Sequence, residues 1–236
     1  MTELAVVLPV YNEEEIISQV IEEWAKELDA LDIDFEIHAY NDGSRDGTLK
    51  ALTGLASKYS NLIVHDKTNS GHGPTILKGY RENCDKDWIF QTDSDGEIGP
   101  EGFRELWKQR NNYDLLIGKR QRHHQPPARK IISSISRLLS RGLYGRGVSD
   151  ANVPYRLMRA EKFRQLFFRI PADTFAPNLI ISGMASIMKA RILEAPVQQY
   201  PGPTGEASLN KMKLLGAALR AFFQTIGFRF GLYGQA

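Results

Sequence analysis

In the first half of the chain, short apolar runs alternate with longer segments in which apolar residues recur at helical spacing. Five short runs predict strands, at 4–9, 35–40, 62–65, 87–92 and 114–118. The segments between them predict helices over about 13–31, 46–59, from Pro74 onward and over 100–110. Strands that alternate with helices are typical of a parallel sheet covered by helices on both faces, so we expect a three-layer α/β fold.

Two segments of the second half also carry apolar stripes at helical spacing. In 128–144 the stripe is flanked by Lys130, Arg137 and Arg141, which is typical of a helix lying in a membrane interface. A helix packed on the domain is the alternative. A second stripe over about 209–232 is interrupted by polar residues too often for a membrane span. We expect it to form a covering or interfacial helix, with a contact between copies of the chain as a further candidate role.

Each of the first four predicted strands is followed by a cluster of polar residues. The clusters lie at 9–13, 41–44, 69–73 and 93–95. The carboxyl ends of parallel strands meet at one edge of a sheet, and ligands of open α/β sheets bind there. The four clusters therefore predict one active site.

The last of these clusters has the chemistry of a metal site. Asp93 and Asp95 flank a single residue, and Glu97 follows two residues later. Carboxylate oxygens suit Mg²⁺ or Mn²⁺, and substrate phosphates commonly complete the coordination of such ions. We therefore predict that Asp93, Asp95 and Glu97 bind one of these metals; a solvated acidic turn is the alternative.

The second and third clusters indicate nucleotide binding. Asp42 can accept hydrogen bonds from a base or ribose, although aspartate also favours turns for local reasons. The loop 70–73 precedes a predicted helix and can direct backbone amides toward an anion. His72 in this loop is a candidate donor contact, with simple exposure as the alternative.

The charge is divided unevenly along the chain. Residues 1–118 contain 23 acidic and 11 basic residues, whereas residues 119–236 contain 5 acidic and 19 basic residues. Between 115 and 149 there are eight basic residues and no acidic one: Lys119, Arg120, Arg122, Arg129, Lys130, Arg137, Arg141 and Arg146. Such a block predicts a surface for phosphates, nucleic acid or an anionic membrane, with a solvated face as the alternative.

The same composition limits the location of the protein. The single Cys84 excludes an intramolecular disulfide. The first apolar run is too short for a signal peptide and lacks a basic flank, and no run approaches the length of a membrane span. We expect a cytoplasmic protein, held at the inner face of the membrane by peripheral contact.

Together the motifs resemble family 2 of the inverting glycosyltransferases, which have the GT-A fold. The matching segments are VVLPVYNEE at 6–14, NDGSRDGT at 41–48, NSGHGPTILKG at 69–79, IFQTDSD at 89–95 and IGKR at 117–120. The resemblance implies a metal-dependent transfer of a sugar from a UDP- or GDP-linked donor. It also implies a single catalytic domain, with the donor bound by residues 1–122 and the acceptor by residues 123–236.

The resemblance assigns roles to individual residues. The donor-binding residues would be Pro9, Tyr11, Glu13, Asp42, Lys78 and Ser94. Asp93 and Asp95 would bracket the diphosphate through the metal, and Arg120 and Asp150 complete the expected catalytic set. Within the family, segments 154–159 and 205–209 are most similar to polyprenyl- or dolichol-phosphate sugar synthases. The chain departs from their pattern at 152–154, just before Gly205, and at Glu97, where a glutamine is common.

The second half also bears on the acceptor. A hydroxyl acceptor needs a general base, which polysaccharide-building relatives supply from a Glu-Asp pair, and the acids of this half stand singly. A phosphate monoester is already a dianion near neutral pH and needs no base. The absent pair therefore favours a polyprenyl phosphate acceptor, with Arg120 and Arg129 as its candidate ligands. Asp150 acting as base toward a hydroxyl acceptor is the alternative.

Two other classes of function are less consistent with the sequence. A nucleotidyltransferase is expected to have a glycine-rich basic loop after the first strand, where this chain has the acidic segment 11–15. A non-enzymatic protein that binds nucleic acid or another anionic polymer would use the basic half, but no recognisable module or aromatic platform is present. We therefore expect no nucleic-acid partner.

Overall fold

The computed structural model describes residues 2–121, 148, 150–200 and 211–231. The strands are β1 (Leu4–Val10), β2 (Phe35–Asp42), β3 (Leu62–Lys67), β4 (Trp88–Thr92), β5 (Leu115–Gln121), β6 (Tyr155–Arg159) and β7 (Ile192–Gln198). The helices are α1 (Ile17–Asp29), α2 (Thr48–Ala56), α3 (His72–Glu82), α4 (Phe103–Gln109), α5 (Ala160–Arg169), α6 (Pro177–Ile187) and α7 (Lys211–Arg229). Single 3-10 turns at Pro100–Gly102 and Arg110–Asn112 flank α4.

These strands form one seven-stranded sheet in the order β3-β2-β1-β4-β6-β5-β7. Strands β1 to β4 are mutually parallel, as predicted, and β5 pairs with β7 in the same sense. β6 is antiparallel to both of its neighbours, β4 and β5. The predicted α/β fold is therefore confirmed, but β5 does not lie beside β4, because a strand from the second half separates them.

The centre of the sheet is apolar on both faces. Every residue of β1 and β4 is buried, as expected for strands covered by helices on both sides. Trp24 of α1 packs on Phe90 of β4, Phe103 of α4 and Tyr155 of β6, with ring centroids 5.1, 5.8 and 6.0 Å apart. This aromatic cluster fixes β4, the strand that leads into Asp93.

A buried arginine joins β6 to the segment before it and to α6. Arg156 donates to the carbonyl oxygens of Ala151 (3.0 Å), Val153 (2.9 Å) and Asn178 (3.2 Å), and its side chain is fully buried. Without these donors the buried carbonyls would each cost about 1–3 kcal/mol. Arg156 is therefore a structural residue, which explains a polar residue at the centre of a buried strand.

All four predicted helices of the first half begin at a residue other than the predicted one, and for α1 and α3 the structure shows why. α1 begins at Ile17 instead of Glu13, because residues 13–16 form a turn in which the Glu13 amide donates to Thr48 Oγ1 at 2.8 Å. α3 begins at His72, two residues before Pro74. Gly71 allows this early start, since its φ of 92° is accessible to glycine at little cost.

The predicted helices of the second half have different outcomes. The segment 128–144 lies outside the described residues. The segment 209–232 is helical over Lys211–Arg229, the part that α7 occupies. Within the described ranges, no helix has the length and apolar character needed to cross a membrane.

Candidate active site

The polar clusters meet at the carboxyl edge of β1 to β4, as predicted. The loop after β1 is tied to the loop after β2, since the Asn12 amide donates to Ser44 Oγ at 3.0 Å and Asn12 Oδ1 accepts from the Arg45 amide at 2.8 Å. The charges of Asp42, Asp93 and Asp95 all act on His72. The three aspartates therefore share one side of the molecule.

Asp42 organises the loop after β3. Its carboxylate accepts hydrogen bonds from the amides of Ser70 (2.8 Å) and Gly71 (2.9 Å) and from the ammonium of Lys67. Burial raises the pKa of Asp42, but the hydrogen bonds from Lys67 and the two amides have a larger, opposite effect. The pKa of Asp42 therefore lies below its ordinary value. The anion that these loop amides meet in this structure is therefore Asp42 itself.

Lys67 is a site residue that sequence reasoning missed. At the end of β3, its ammonium contacts Asp42 and also donates to Ser70 Oγ at 2.7 Å and Thr75 Oγ1 at 3.1 Å. It thus joins the end of β2 to the start of α3. Its position could have indicated this role, because Lys67 is the last residue of β3 and the neighbouring strand β2 ends in Asp42.

Asp93 is held by two neighbours. Its Oδ1 lies 2.9 Å from His72 Nε2 and accepts a hydrogen bond from Gln91 Nε2 at 3.0 Å. The His72 side chain is 54% exposed; partial desolvation lowers its pKa, but the charge and hydrogen bond of Asp93 outweigh this effect and leave the pKa above its ordinary value. His72 is therefore a contact of the acidic cluster, a role that the sequence left open against simple exposure.

Asp95 and Glu13, at the same edge, have raised pKa values, unlike Asp42. Burial, followed by the charge of nearby carboxylates, raises the pKa of Asp95 to about 6 and that of Glu13 to about 7. Asp95 acts on Glu13 more strongly than any other charged group does. The edge therefore holds excess negative charge, and its hard oxygen donors fit a divalent cation.

The described residues do not form a complete metal cage. Among them, no three His, Cys, Asp or Glu side chains lie close enough together to bind an ion unaided. An ion at Asp93 and Asp95 would need further ligands, and substrate phosphates commonly supply them to Mg²⁺. Glu97 accepts a hydrogen bond from the side chain of Gln199, next to β7, so its role as a metal ligand stays a prediction.

Arg120 and Asp150 meet on the other side of β4. Arg120 lies near the end of β5, and its Nε and Nη2 donate to the two carboxylate oxygens of Asp150 at 2.7 and 3.0 Å. This two-pronged ion pair joins two residues that the sequence nominated separately. Arg129, the other candidate ligand for an acceptor phosphate, lies outside the described residues.

The remaining predicted donor-binding residues are placed as follows. Pro9 is buried in β1, Tyr11 follows it and is 43% exposed, and Ser94 is buried between Asp93 and Asp95. The ammonium of Lys78 contacts Glu82 one turn along α3. The roles of these residues in donor binding stay predictions.

Comparison with known proteins decides the family. The family model described as "Glycosyl transferase family 2" matches residues 5–186, which is more than half of the chain. The chain belongs to glycosyl transferase family 2. The match extends past the donor motifs through β6 and α6, so it includes elements that the pattern of apolar residues did not predict.

One sequence relative and one solved structure show how much of the chain resembles known proteins. The undecaprenyl-phosphate 4-deoxy-4-formamido-L-arabinose transferase of Proteus mirabilis (strain HI4320) is 26% identical over 219 residues. That alignment covers 91% of this chain but 65% of the relative, so the chain spans less than two thirds of the relative's length. Glucosyl-3-phosphoglycerate synthase from Mycobacterium tuberculosis, crystallised with phosphoglyceric acid, superposes with a TM-score of 0.70 at 16% identity and covers 97% of this chain and 80% of that one.

A third comparison supports the same fold. S. aureus TarS (residues 1-349), crystallised with UDP, superposes with a TM-score of 0.60 at 17% identity and covers 95% of this chain and 65% of the TarS chain. At such low identity the solved structures establish the fold, and the GT-A prediction is confirmed.

The crowding of acids predicts a specific dependence of stability on pH. The pKa of Glu13 is higher in the folded protein than its ordinary value of 4.5, so stability is lost as the pH rises from 4.5 to about 7. Glu13→Gln removes this penalty. It should raise the free energy of unfolding by roughly 1 kcal/mol at about pH 8, after allowance for solvent screening, and by little at about pH 4.5.

Urea unfolding of the metal-free protein at the two pH values measures this difference. Glu15→Gln, at an exposed position nearby, removes the same charge and serves as the control. An equal gain from both substitutions, or a Glu13→Gln gain that does not depend on pH, would contradict the account.

Proposed function

We propose that the chain catalyses metal-dependent, inverting transfer of a sugar from a nucleoside-diphosphate donor to a polyprenyl phosphate. The observation that carries the proposal is the position of Asp93 and Asp95 directly after β4, at the edge where the Asp42-held loop also lies. Family membership makes glycosyl transfer the reaction to which this edge is assigned.

The donor side rests on the acidic edge and on what related structures bind. One structure of the M. tuberculosis synthase contains Mn²⁺ and UDP-glucose, and TarS was crystallised with UDP. These support a uridine nucleotide as the first donor to test and Mg²⁺ or Mn²⁺ as the metal. When bound, the metal neutralises the charge that develops on the departing diphosphate.

The protein's own residues have separate tasks in this proposal. Asp93 and Asp95 hold the cation, while Lys67 and Asp42 keep the loop after β3 in a fixed conformation beside it. A donor that binds here meets a preformed site. Less free energy is then spent on ordering the loop than if donor binding had to assemble it.

The acceptor side rests on the Arg120–Asp150 ion pair. Both carboxylate oxygens of Asp150 accept from Arg120, which makes Asp150 a poor candidate for a general base toward a hydroxyl. A phosphate dianion needs no base and is a good partner for a guanidinium. The name of the P. mirabilis relative, an undecaprenyl-phosphate transferase, supports the same class of acceptor.

A lipid acceptor also requires access to a membrane. The basic segment 115–149, which has eight Lys or Arg residues and no acid, supports peripheral contact with an anionic leaflet at the inner face of the membrane. In this arrangement residues 1–122 bind the donor, and the later residues present the lipid phosphate to it.

The donor site is tested by Asp95→Ala. Wild-type protein should bind UDP in the presence of Mn²⁺ and lose most of that affinity when the metal is removed. Asp95→Ala should weaken the Mn²⁺-dependent binding at least about tenfold, measured by isothermal titration calorimetry. Asp85→Ala, an exposed aspartate before the opposite end of β4, is the control and should bind as wild type. Metal-independent UDP binding that survives Asp95→Ala would contradict the donor site.

The acceptor class is tested with two lipids that differ in one group. Sugar transfer should occur to a polyprenyl phosphate and be at least about a hundredfold slower to the corresponding polyprenol. Arg120→Gln should raise the KM for the lipid phosphate about tenfold and leave UDP affinity unchanged, whereas Arg104→Gln, a surface control, should change neither. Equal rates with both lipids would favour a hydroxyl acceptor.

The membrane contact is tested by comparing vesicles. Faster transfer in anionic than in neutral vesicles would support the membrane contact, and equal rates would contradict it.

A further inference from the structure

A buried pair of amide side chains lies behind Asp93. Gln91 of β4 is 0% exposed, and Asn178 in the first turn of α6 is 2% exposed. Gln91 Nε2 donates to Asp93 Oδ1 at 3.0 Å, and Gln91 Oε1 accepts from Asn178 Nδ2 at 3.0 Å. Asp93 is therefore joined by two hydrogen bonds to a helix 85 residues later in the chain.

Asn178 is fixed in turn by two further residues. Its Oδ1 accepts a hydrogen bond from the hydroxyl of Tyr80 at 2.8 Å, and its backbone carbonyl oxygen accepts from Arg156 at 3.2 Å. Both Tyr80 and Arg156 are fully buried. Rotation of the Asn178 side chain would leave buried polar atoms unpaired, at a cost of about 1–3 kcal/mol each.

The direction of these hydrogen bonds is not arbitrary. If the Gln91 amide were reversed, its carbonyl oxygen would face the carboxylate of Asp93, and two acceptors would oppose each other. Asn178 Nδ2 favours the observed sense, because it can donate to a carbonyl oxygen but not accept from the Gln91 amino group. The network therefore directs a donor toward Asp93.

We propose that Gln91, backed by Asn178, is a positioning residue that fixes the Asp93 carboxylate in the orientation in which it would hold a divalent cation. The proposal rests on the function proposed above. Groups that orient a metal ligand commonly change metal affinity about 10- to 100-fold when they are replaced. Three elements hold Asp93 in place. His72 of α3 and Gln91 of β4 contact the same carboxylate oxygen, and α6 supports Gln91 through Asn178.

A purely structural role for the same residues makes a different prediction. Four buried polar side chains in one cluster contribute to stability whether or not Asp93 binds a metal. Replacing Gln91 would then lower the free energy of unfolding and leave metal affinity unchanged. The two roles are separated by measuring both quantities on the same variants.

The test variant is Gln91→Met, which keeps the length of the side chain and removes its hydrogen bonds to Asp93, Asn178 and Tyr80. Mn²⁺ affinity in the presence of UDP is measured from the electron paramagnetic resonance signal of free Mn²⁺, and stability from urea unfolding without metal. Gln91→Met should weaken Mn²⁺ binding at least about tenfold in protein that is fully folded. Retention of wild-type Mn²⁺ affinity within about twofold, with or without a loss of stability, would overturn the proposal.

Thr92→Val is the matched control on the same strand. Thr92 Oγ1 is buried and has no hydrogen-bond partner among the described residues, so its replacement by an isosteric side chain removes no contact of Asp93. Mn²⁺ affinity should stay as in wild type; a loss equal to that of Gln91→Met would show a general effect of mutations in β4 and would also overturn the proposal.

A second variant keeps the test decisive if Gln91→Met does not fold. Tyr80→Phe deletes the hydroxyl that donates to Asn178 Oδ1 at 2.8 Å and lies 3.4 Å from Gln91 Oε1, and it keeps the buried ring. It should weaken Mn²⁺ binding about threefold, and unchanged affinity would count against the proposal. Failure of the wild type to bind Mn²⁺ with UDP would instead refute the proposed function, so the two failures are distinguishable.

Discussion

The carboxyl ends of the parallel strands lie at one edge of the sheet, and several acidic side chains lie close together there. Some of their charge is balanced by neighbouring groups, and some is not. Asp42 is satisfied by Lys67 and two loop amides, and Asp93 by His72 and Gln91. Asp95 and Glu13 keep raised pKa values because burial and neighbouring carboxylates oppose their ionisation. The remaining charge is the physical reason that a cation fits this edge.

The rest of the fold holds that edge in place. The aromatic cluster around Trp24 anchors β4 from one side of the core, and the buried network of Gln91, Asn178 and Tyr80 supports Asp93 itself. Arg156 serves both β6 and α6, so the second half of the chain stabilises the donor site built by the first half. Such support is what a site of fixed geometry requires.

Sequence patterns predicted the strands and helices of the first half and the meeting of four polar clusters, because both depend on local periodicity and on a general property of parallel sheets. They did not predict that β6 lies between β4 and β5, because that pairing joins residues far apart in the chain. The buried Arg156 also interrupts the apolar pattern by which a buried strand is recognised. Lys67, Gln91 and Asn178 were missed for the same reason. Their importance depends on side-chain partners that spacing along the sequence does not reveal.

The most direct test of this account is a crystal structure of the protein with Mn²⁺ and UDP, with anomalous scattering used to locate the metal. The account predicts one manganese peak in contact with the carboxylates of Asp93 or Asp95 and with the diphosphate. A diphosphate bound at another face of the sheet, or a manganese ion bound away from both aspartates, would contradict it.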